Sequence, residues 1–188
     1  MRSITVVSCF FIPFLLTACL GSPEGVVAID GFDKQRYLGR WYEVARLDHS
    51  FERGLTHVTA DYSLREDGGV RVINRGYSIA EEAWQEAEGR AYFVGAEQQG
   101  HLKVSFFGPF YGSYIIFEMD SVDYQYAFVA GNSTDYLWLL ARTPTISPAL
   151  REHFLQRVEG LGFNSEALIF VEQDLDKQDS DKQDLDKQ

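Results

Sequence analysis

The stretch Leu64-Arg65-Glu66-Asp67-Gly68-Gly69-Val70 sets the fold class. Asp-Gly-Gly supplies the positive φ angles that a tight hairpin turn requires, and it separates two runs of alternating apolar and polar residues. The strands on either side must be antiparallel neighbours. Working outward, the same short alternation broken by turn residues runs from 39 to 142, and eight strands fit it, near 40–48, 57–65, 69–77, 84–94, 101–107, 112–119, 124–131 and 136–142. Beyond them, Ser147-Pro148 reads as a helix N-cap followed by proline at the first helical position. Leu150, Phe154, Leu155, Val158 and Leu161 follow at helical spacing, and Gly160 and Gly162 end the run. Leu168-Ile169-Phe170-Val171 reads as a ninth strand returning to the sheet. The sequence thus predicts an all-β chain: an eight-stranded antiparallel up-and-down barrel with one C-terminal α-helix and a short ninth strand. Eight strands enclose room for one small ligand.

The 188 residues are 45% hydrophobic, enough for one globular domain and too few for a second of typical size. A net charge of -11 argues against nucleic acid or an anionic membrane surface as an electrostatic partner, so any membrane contact is expected to come from an anchor. The histidines, at 49, 57, 101 and 153, show no metal-ligand spacing, and no Gly-x-Ser-x-Gly is present, so no metal and no cofactor is expected. Of the cysteines, Cys9 falls in the apolar N-terminal run and Cys19 at its end.

That N-terminus, Met1-Arg2 followed by an apolar run from Ile4 to Leu16, reads as an export signal over residues 1–18. Its close, Leu16-Thr17-Ala18-Cys19, resembles the bacterial lipobox. The resemblance implies cleavage before Cys19 and acylation of that cysteine, with Leu20 directing the product to the outer membrane. A plain secretory signal with a chance cysteine is the alternative. Residues 19–29 are then a linker, 30–173 the folded domain, and 174–188 a tail. The tail is three copies of a five-residue unit, with six aspartates against three lysines, a composition that predicts disorder.

Gly39-Arg40-Trp41-Tyr42-Glu43-Val44-Ala45-Arg46 resembles the first signature of the lipocalin family. Thr134-Asp135-Tyr136 resembles the second, and Arg142 the third. Phe51-Glu52-Arg53-Gly54, the run from Lys103 to Gly112, and Asp135-Tyr136-Leu137-Trp138 are similar to the bacterial lipocalin (Blc) subfamily, over much of residues 30–172. The resemblance implies that Gly39, Trp41, Thr134, Asp135, Tyr136 and Arg142 are structural, with Arg142 packed across Trp41 to close the barrel floor. It also implies an outer-membrane lipoprotein facing the periplasm. Such a protein would bind fatty acid or lysophospholipid, associate as a homodimer, and serve membrane maintenance under stress.

If Trp41 and Arg142 point inward, alternation sends Glu43, Ala45, Trp138 and Leu140 inward as well. Extended to the other strands, the reading places Ala60, Val72, Asn74, Val104, Phe106, Ser113, Ile115, Phe117 and Phe128 on the cavity wall, with Tyr111 and Tyr114 near the open rim. Arg46, Arg53, Arg75 and Arg90 are read as solvated and given no site. The rival classes are a structural envelope lipoprotein that binds a protein partner and a lipocalin-fold enzyme using Glu43 as a buried acid. For Glu43, a hydrogen-bonded structural acid is the favoured reading, and the chain is not expected to be an enzyme.

Overall fold

The computed structural model describes residues 21–173. Cys19, the signal expected at 1–18 and the repeat tail at 174–188 lie outside the described residues.

The strands are β1 (Gly39–Leu47), β2 (Leu55–Leu64), β3 (Val70–Ser78), β4 (Ala83–Phe93), β5 (His101–Ser105), β6 (Gly112–Met119), β7 (Tyr126–Ala130), β8 (Leu137–Ala141) and β9 (Leu168–Phe170). Strands β1 to β8 pair antiparallel in sequence order, and β1 closes the ring by pairing with both β2 and β8. The hairpin between β2 and β3 forms where Asp-Gly-Gly places it. Leu64 pairs with Val70, Gly68 takes φ +82°, and the Asp67 carboxylate accepts from the Gly69 amide at 3.1 Å.

At the far end of β1 the ring parts. A register shift between Glu43 and Ala45 turns β1 away from β2, and β9 pairs with Ala45, Arg46 and Leu47 instead. The segment after β9 spans the gap. Val171 N donates to Val44 O at 2.9 Å, and the buried Gln173 amide donates to Glu43 O at 2.9 Å and to Val58 O at 2.8 Å.

A short helix that periodicity did not reveal, α1 (Lys34–Tyr37), lies across the floor. Asp33 caps it, accepting from the amides of Gln35 and Arg36 at 2.9 and 3.4 Å. The second helix, α2 (Pro148–Glu159), begins as the sequence predicts, with the Ser147 hydroxyl accepting from the Leu150 amide at 3.1 Å and Pro148 at its start. Its fully buried Phe154 and Val158 lie against the outside of the barrel. Each contributes about 1.5–3 kcal/mol by leaving water.

The barrel therefore has two cores. One fills its interior around Trp41, Val72, Ile116 and Val129. The other lies between its outer wall and α2, and contains Ala45, Ile115, Phe117, Phe128, Leu139 and Phe154. This corrects the expected inward set: Ala45, Ile115, Phe117 and Phe128 face α2, not the cavity. For Ala45 the cause is the bulge at Val44, which adds a residue and reverses the alternation. On β6 and β7 the cause is the helix itself. It buries the outer face, so both faces are apolar and alternation carries no direction.

Residues 21–29 do not form a free linker. They run along the outside of β6 as a strap. Ile29 N donates to Ile116 O at 2.9 Å, Gly100 N to Ile29 O at 2.9 Å, and the Ser113 hydroxyl to Gly21 O at 2.9 Å.

Candidate functional site

The barrel interior narrows to a sealed floor and opens at the strand ends that carry the β1–β2, β3–β4, β5–β6 and β7–β8 loops. The seal is built around Trp41. Its indole Nε1 donates to Tyr37 O at 2.8 Å, and the Arg142 guanidinium lies 3.9 Å from its ring centre. Arg142 also donates to the carbonyls of Arg40, Arg36, Leu38 and Tyr37 at 2.8, 2.8, 3.0 and 3.2 Å, which ties α1 to β1. Gly39, at φ +93°, makes the turn between the two elements in a conformation that L side chains rarely adopt.

Above the seal, three tyrosine hydroxyls satisfy one another. Tyr114 Oη lies 2.7 Å from Tyr37 Oη and 2.9 Å from Tyr62 Oη. Burial pushes all three phenols above their ordinary pKa, so the cluster is neutral. Tyr114 was expected near the rim and instead reaches deep into the barrel. Tyr111, of the β5–β6 loop, folds back beside Lys103 and Arg90 of β5 and β4.

Above the tyrosines is a cavity of about 490 Å³ with a predominantly apolar wall. Of the residues expected on it, Ala60, Val72, Asn74, Val104, Phe106, Trp138 and Leu140 border it. Ser113 touches its edge, but its hydroxyl turns outward to Gly21. Gly89 lets Phe106 lean across the wall: a β-carbon there would stand 2.8 Å from the ring. Asn74 Oδ1 is buried with no hydrogen-bond partner among the described residues, a free acceptor on the cavity wall.

One side of the wall is charged, and here sequence reasoning missed most of the residues. The bulge that turns Ala45 outward turns Arg46 inward. Arg46 is buried, and its guanidinium meets Glu43 Oε1 at 2.7 Å and donates to the carbonyls of Glu52 and Leu55 at 2.9 and 3.0 Å. Glu52 is also buried. Its Oε2 accepts from Trp138 Nε1 at 3.1 Å and lies 3.0 Å from His49 Nε2.

Burial pushes the Glu43 carboxyl well above its ordinary pKa, and the neighbouring Glu52 charge adds to this against the pull of Arg46. Burial acts on Glu52 in the same direction, but the partners His49, Trp138 and Arg46 outweigh it and hold that carboxyl below its ordinary value. The two carboxyls are therefore pushed in opposite directions beside one guanidinium, which meets the Glu43 carboxyl directly and Glu52 at its backbone carbonyl. The spacing Glu43, Arg46, His49, Glu52 was visible in the sequence, but it became a cluster only through the bulge and the β1–β2 loop.

Aromatic rings frame the opening. Phe51 stacks on His49 at 4.0 Å and on Tyr136 at 6.4 Å, and Tyr136 stacks on Trp138 at 6.3 Å. Tyr136, expected to be structural, thus also borders the cavity. Thr134 and Asp135 hold the turn before β8, where the Ser133 hydroxyl donates to Asp135 Oδ2 at 3.0 Å. Among the described residues no group of three or more His, Cys, Asp or Glu side chains is placed to hold a metal.

Residues 32–173 match the family model of the lipocalin-like domain. The chain is 54% identical over 173 residues to "Outer membrane lipoprotein Blc" of Vibrio cholerae, covering 92% of this chain and 99% of that protein. It is 49% identical over 175 residues to the protein of the same name in Escherichia coli K12, covering 92% and 98%. These relatives support outer-membrane localisation of this chain. Among solved structures, the cockroach allergen Per a 4 superposes with TM-score 0.64 at 21% identity, covering 84% of this chain and 98% of that one. Insecticyanin of the tobacco hornworm superposes with TM-score 0.63 at 18% identity, covering 81% and 86%. At such identities the likeness concerns the fold alone. The barrel, its Trp41–Arg142 floor and the sequence matches together make this chain a member of the lipocalin family.

Proposed function

We propose that the chain is a lipid carrier of the outer membrane, held there by acylated Cys19 with its barrel in the periplasm, and that it binds a fatty acid or lysophospholipid for membrane maintenance. The observation that carries this reading is the cavity. At about 490 Å³ it falls in the range of small-molecule sites, and its largely apolar wall suits an acyl chain, each buried methylene contributing about 0.8 kcal/mol before the costs of immobilisation. Asn74 and the Glu43–Arg46–Glu52 group supply the few polar contacts that orient a headgroup. Residues 1–18 are the export signal in this reading, and the repeat from 174 onward has no required part in it. A homodimer belongs to the same reading and is tested by sedimentation of the mature protein.

The protein acts by binding and not by turnover. Glu43 is engaged by Arg46 at 2.7 Å, which suits a structural acid better than a proton donor to substrate. Titration with lysophospholipid and with fatty acid, followed by tryptophan emission and calorimetry, tests the reading, with Trp138 as reporter. Saturable one-to-one binding is expected, with the lipid recovered unchanged by mass spectrometry. Altered lipid would indicate an enzyme, and no binding of either class would leave a structural role with a protein partner.

A further inference from the structure

The phenols at the deep end of the cavity do not balance their hydrogen bonds. Tyr37, Tyr62 and Tyr114 all border the cavity and bring three O–H donors to one point, joined by two contacts, Tyr37 Oη to Tyr114 Oη at 2.7 Å and Tyr62 Oη to Tyr114 Oη at 2.9 Å. A hydroxyl carries a single hydrogen, so whichever way the bonds run, two hydrogens are used and one is left over. No other hydrogen bond reaches these oxygens among the described residues.

The side chains packed around them are apolar. Phe32 lies on Tyr37 at 5.2 Å, Phe93 on Phe32 at 6.0 Å, and Val72 pairs with Tyr62. A buried donor without a partner carries its full desolvation penalty, so this hydrogen calls for an acceptor from the cavity. The phenols are neutral, and a carboxylate brought to them would exchange its hydration shell for one O–H. The acceptor that matches is a neutral oxygen, such as a hydroxyl or a ketone.

The charged wall lies at the other end of the well. Gln173 joins Glu43 O to Val58 O, which sets Glu43 level with Val58, and Tyr62 is four residues further down β2, about 14 Å away. A chain with its headgroup at the Glu43–Arg46–Glu52 group therefore presents its far end to the phenols.

We propose that the closed end of the cavity is a hydrogen-bonding subsite for a neutral oxygen at the far end of the bound chain, through which the protein discriminates in favour of acyl chains hydroxylated or oxidised to a ketone there. This rests on the lipid-carrier reading above and names the chain chemistry that the same cavity selects.

The test measures Kd by calorimetry for ω-hydroxydodecanoic and ω-hydroxyhexadecanoic acid, each beside its unsubstituted parent, on the mature chain from residue 19 onward and on Y37F/Y62F/Y114F. The three substitutions keep ring shape and remove donors and acceptors together, a change that is close to neutral for stability. At the tighter-binding chain length, the affinity of the hydroxy acid relative to its parent is expected to fall at least about tenfold in the triple variant, the worth of one hydrogen bond to a donor otherwise left unpaired. The parent should bind the variant as tightly as the native protein or more tightly, since its methyl end no longer covers an unpaired O–H. Y37F/Y62F, which keeps the Tyr114 hydroxyl, should retain the native preference.

Infrared spectra read the contact in the native chain alone, whether or not the triple variant folds. The acid of the same length with a ketone at its penultimate carbon should show a carbonyl stretch at lower wavenumber when bound than in dry hydrocarbon. An unchanged affinity ratio with an unshifted carbonyl overturns the proposal and leaves the carrier reading standing, with water at the phenols. Equal losses for the hydroxy acid and its parent in the triple variant also overturn it, because the carboxyl then enters first. No binding of these acids or of lysophospholipid by the native chain refutes the carrier reading and the subsite with it.

Discussion

The guanidinium of Arg142 covers the ring of Trp41 at 3.9 Å while donating to four carbonyls of α1 and the start of β1. One side chain thus joins the last barrel strand to the first and to the helix beneath them. Replacing it with alanine removes a cation-π contact and the hydrogen bonds that tie α1 to β1. R142A is expected to lower stability by about 3 kcal/mol, read from the urea midpoint. R142K keeps the charge but cannot span the four carbonyls, so it should recover less than half of the loss.

The Glu43–Glu52 pair predicts a pH dependence with opposite signs. Glu43 keeps its proton in the fold to a higher pH than in the unfolded chain, so its contribution is complete below the ordinary glutamate range and is lost as pH rises. Glu52, held low, contributes above that range and loses its contribution as pH falls. E43Q removes the first effect and retains the second. Half-buried His101, whose pKa is lowered by desolvation, acts oppositely to Glu43, so between about pH 5 and about pH 8 the urea midpoint of the native protein should fall relative to that of E43Q.

Arg46 is the one guanidinium of that group, and removing it leaves the buried Glu43 without its ion-pair partner and strips the buried carbonyls of their donor. R46M is expected to cost about 3–5 kcal/mol, whereas R53M, at an exposed pair with Asp48, should cost almost nothing. Parallel chemical denaturation of the two variants checks the contrast.

The two cores can be separated by mutation. V104W fills the cavity and is expected to weaken lysophospholipid binding at least about tenfold with the fold intact. F128A, on the helix-facing side, should cost about 3–5 kcal/mol and leave affinity unchanged in the molecules that remain folded. Calorimetric titration beside thermal melts distinguishes the two outcomes.

The reasons these residues were legible or not are physical. Turn chemistry is local, so Asp67-Gly68-Gly69 and Ser147-Pro148 could be read directly, and strand boundaries followed from where alternation stops. Facing direction is not local. On β2 and β3 the outer face meets water, and Ala60, Val72 and Asn74 were placed correctly on the cavity side. On β6 and β7 a helix elsewhere in the chain buries that face, and Ile115, Phe117 and Phe128 were turned the wrong way. The periodicity of α2 implied an apolar partner surface, and assigning that surface to β6 and β7 would have corrected them. The bulge at Val44 had no comparable signal, because both Ala45 and Arg46 are tolerated on either face of a strand. With it went the chance to see Glu43, Arg46 and Glu52 as one group.

The amide of Gln173 stitches β1 to β2 where the barrel ring has opened, and it is the last described residue before the charged repeat. For anyone shortening the chain, this sets the cut to within one residue. A stop codon after position 173 spares the seam, and one placed a single codon earlier leaves two backbone acceptors exposed along the side of the barrel.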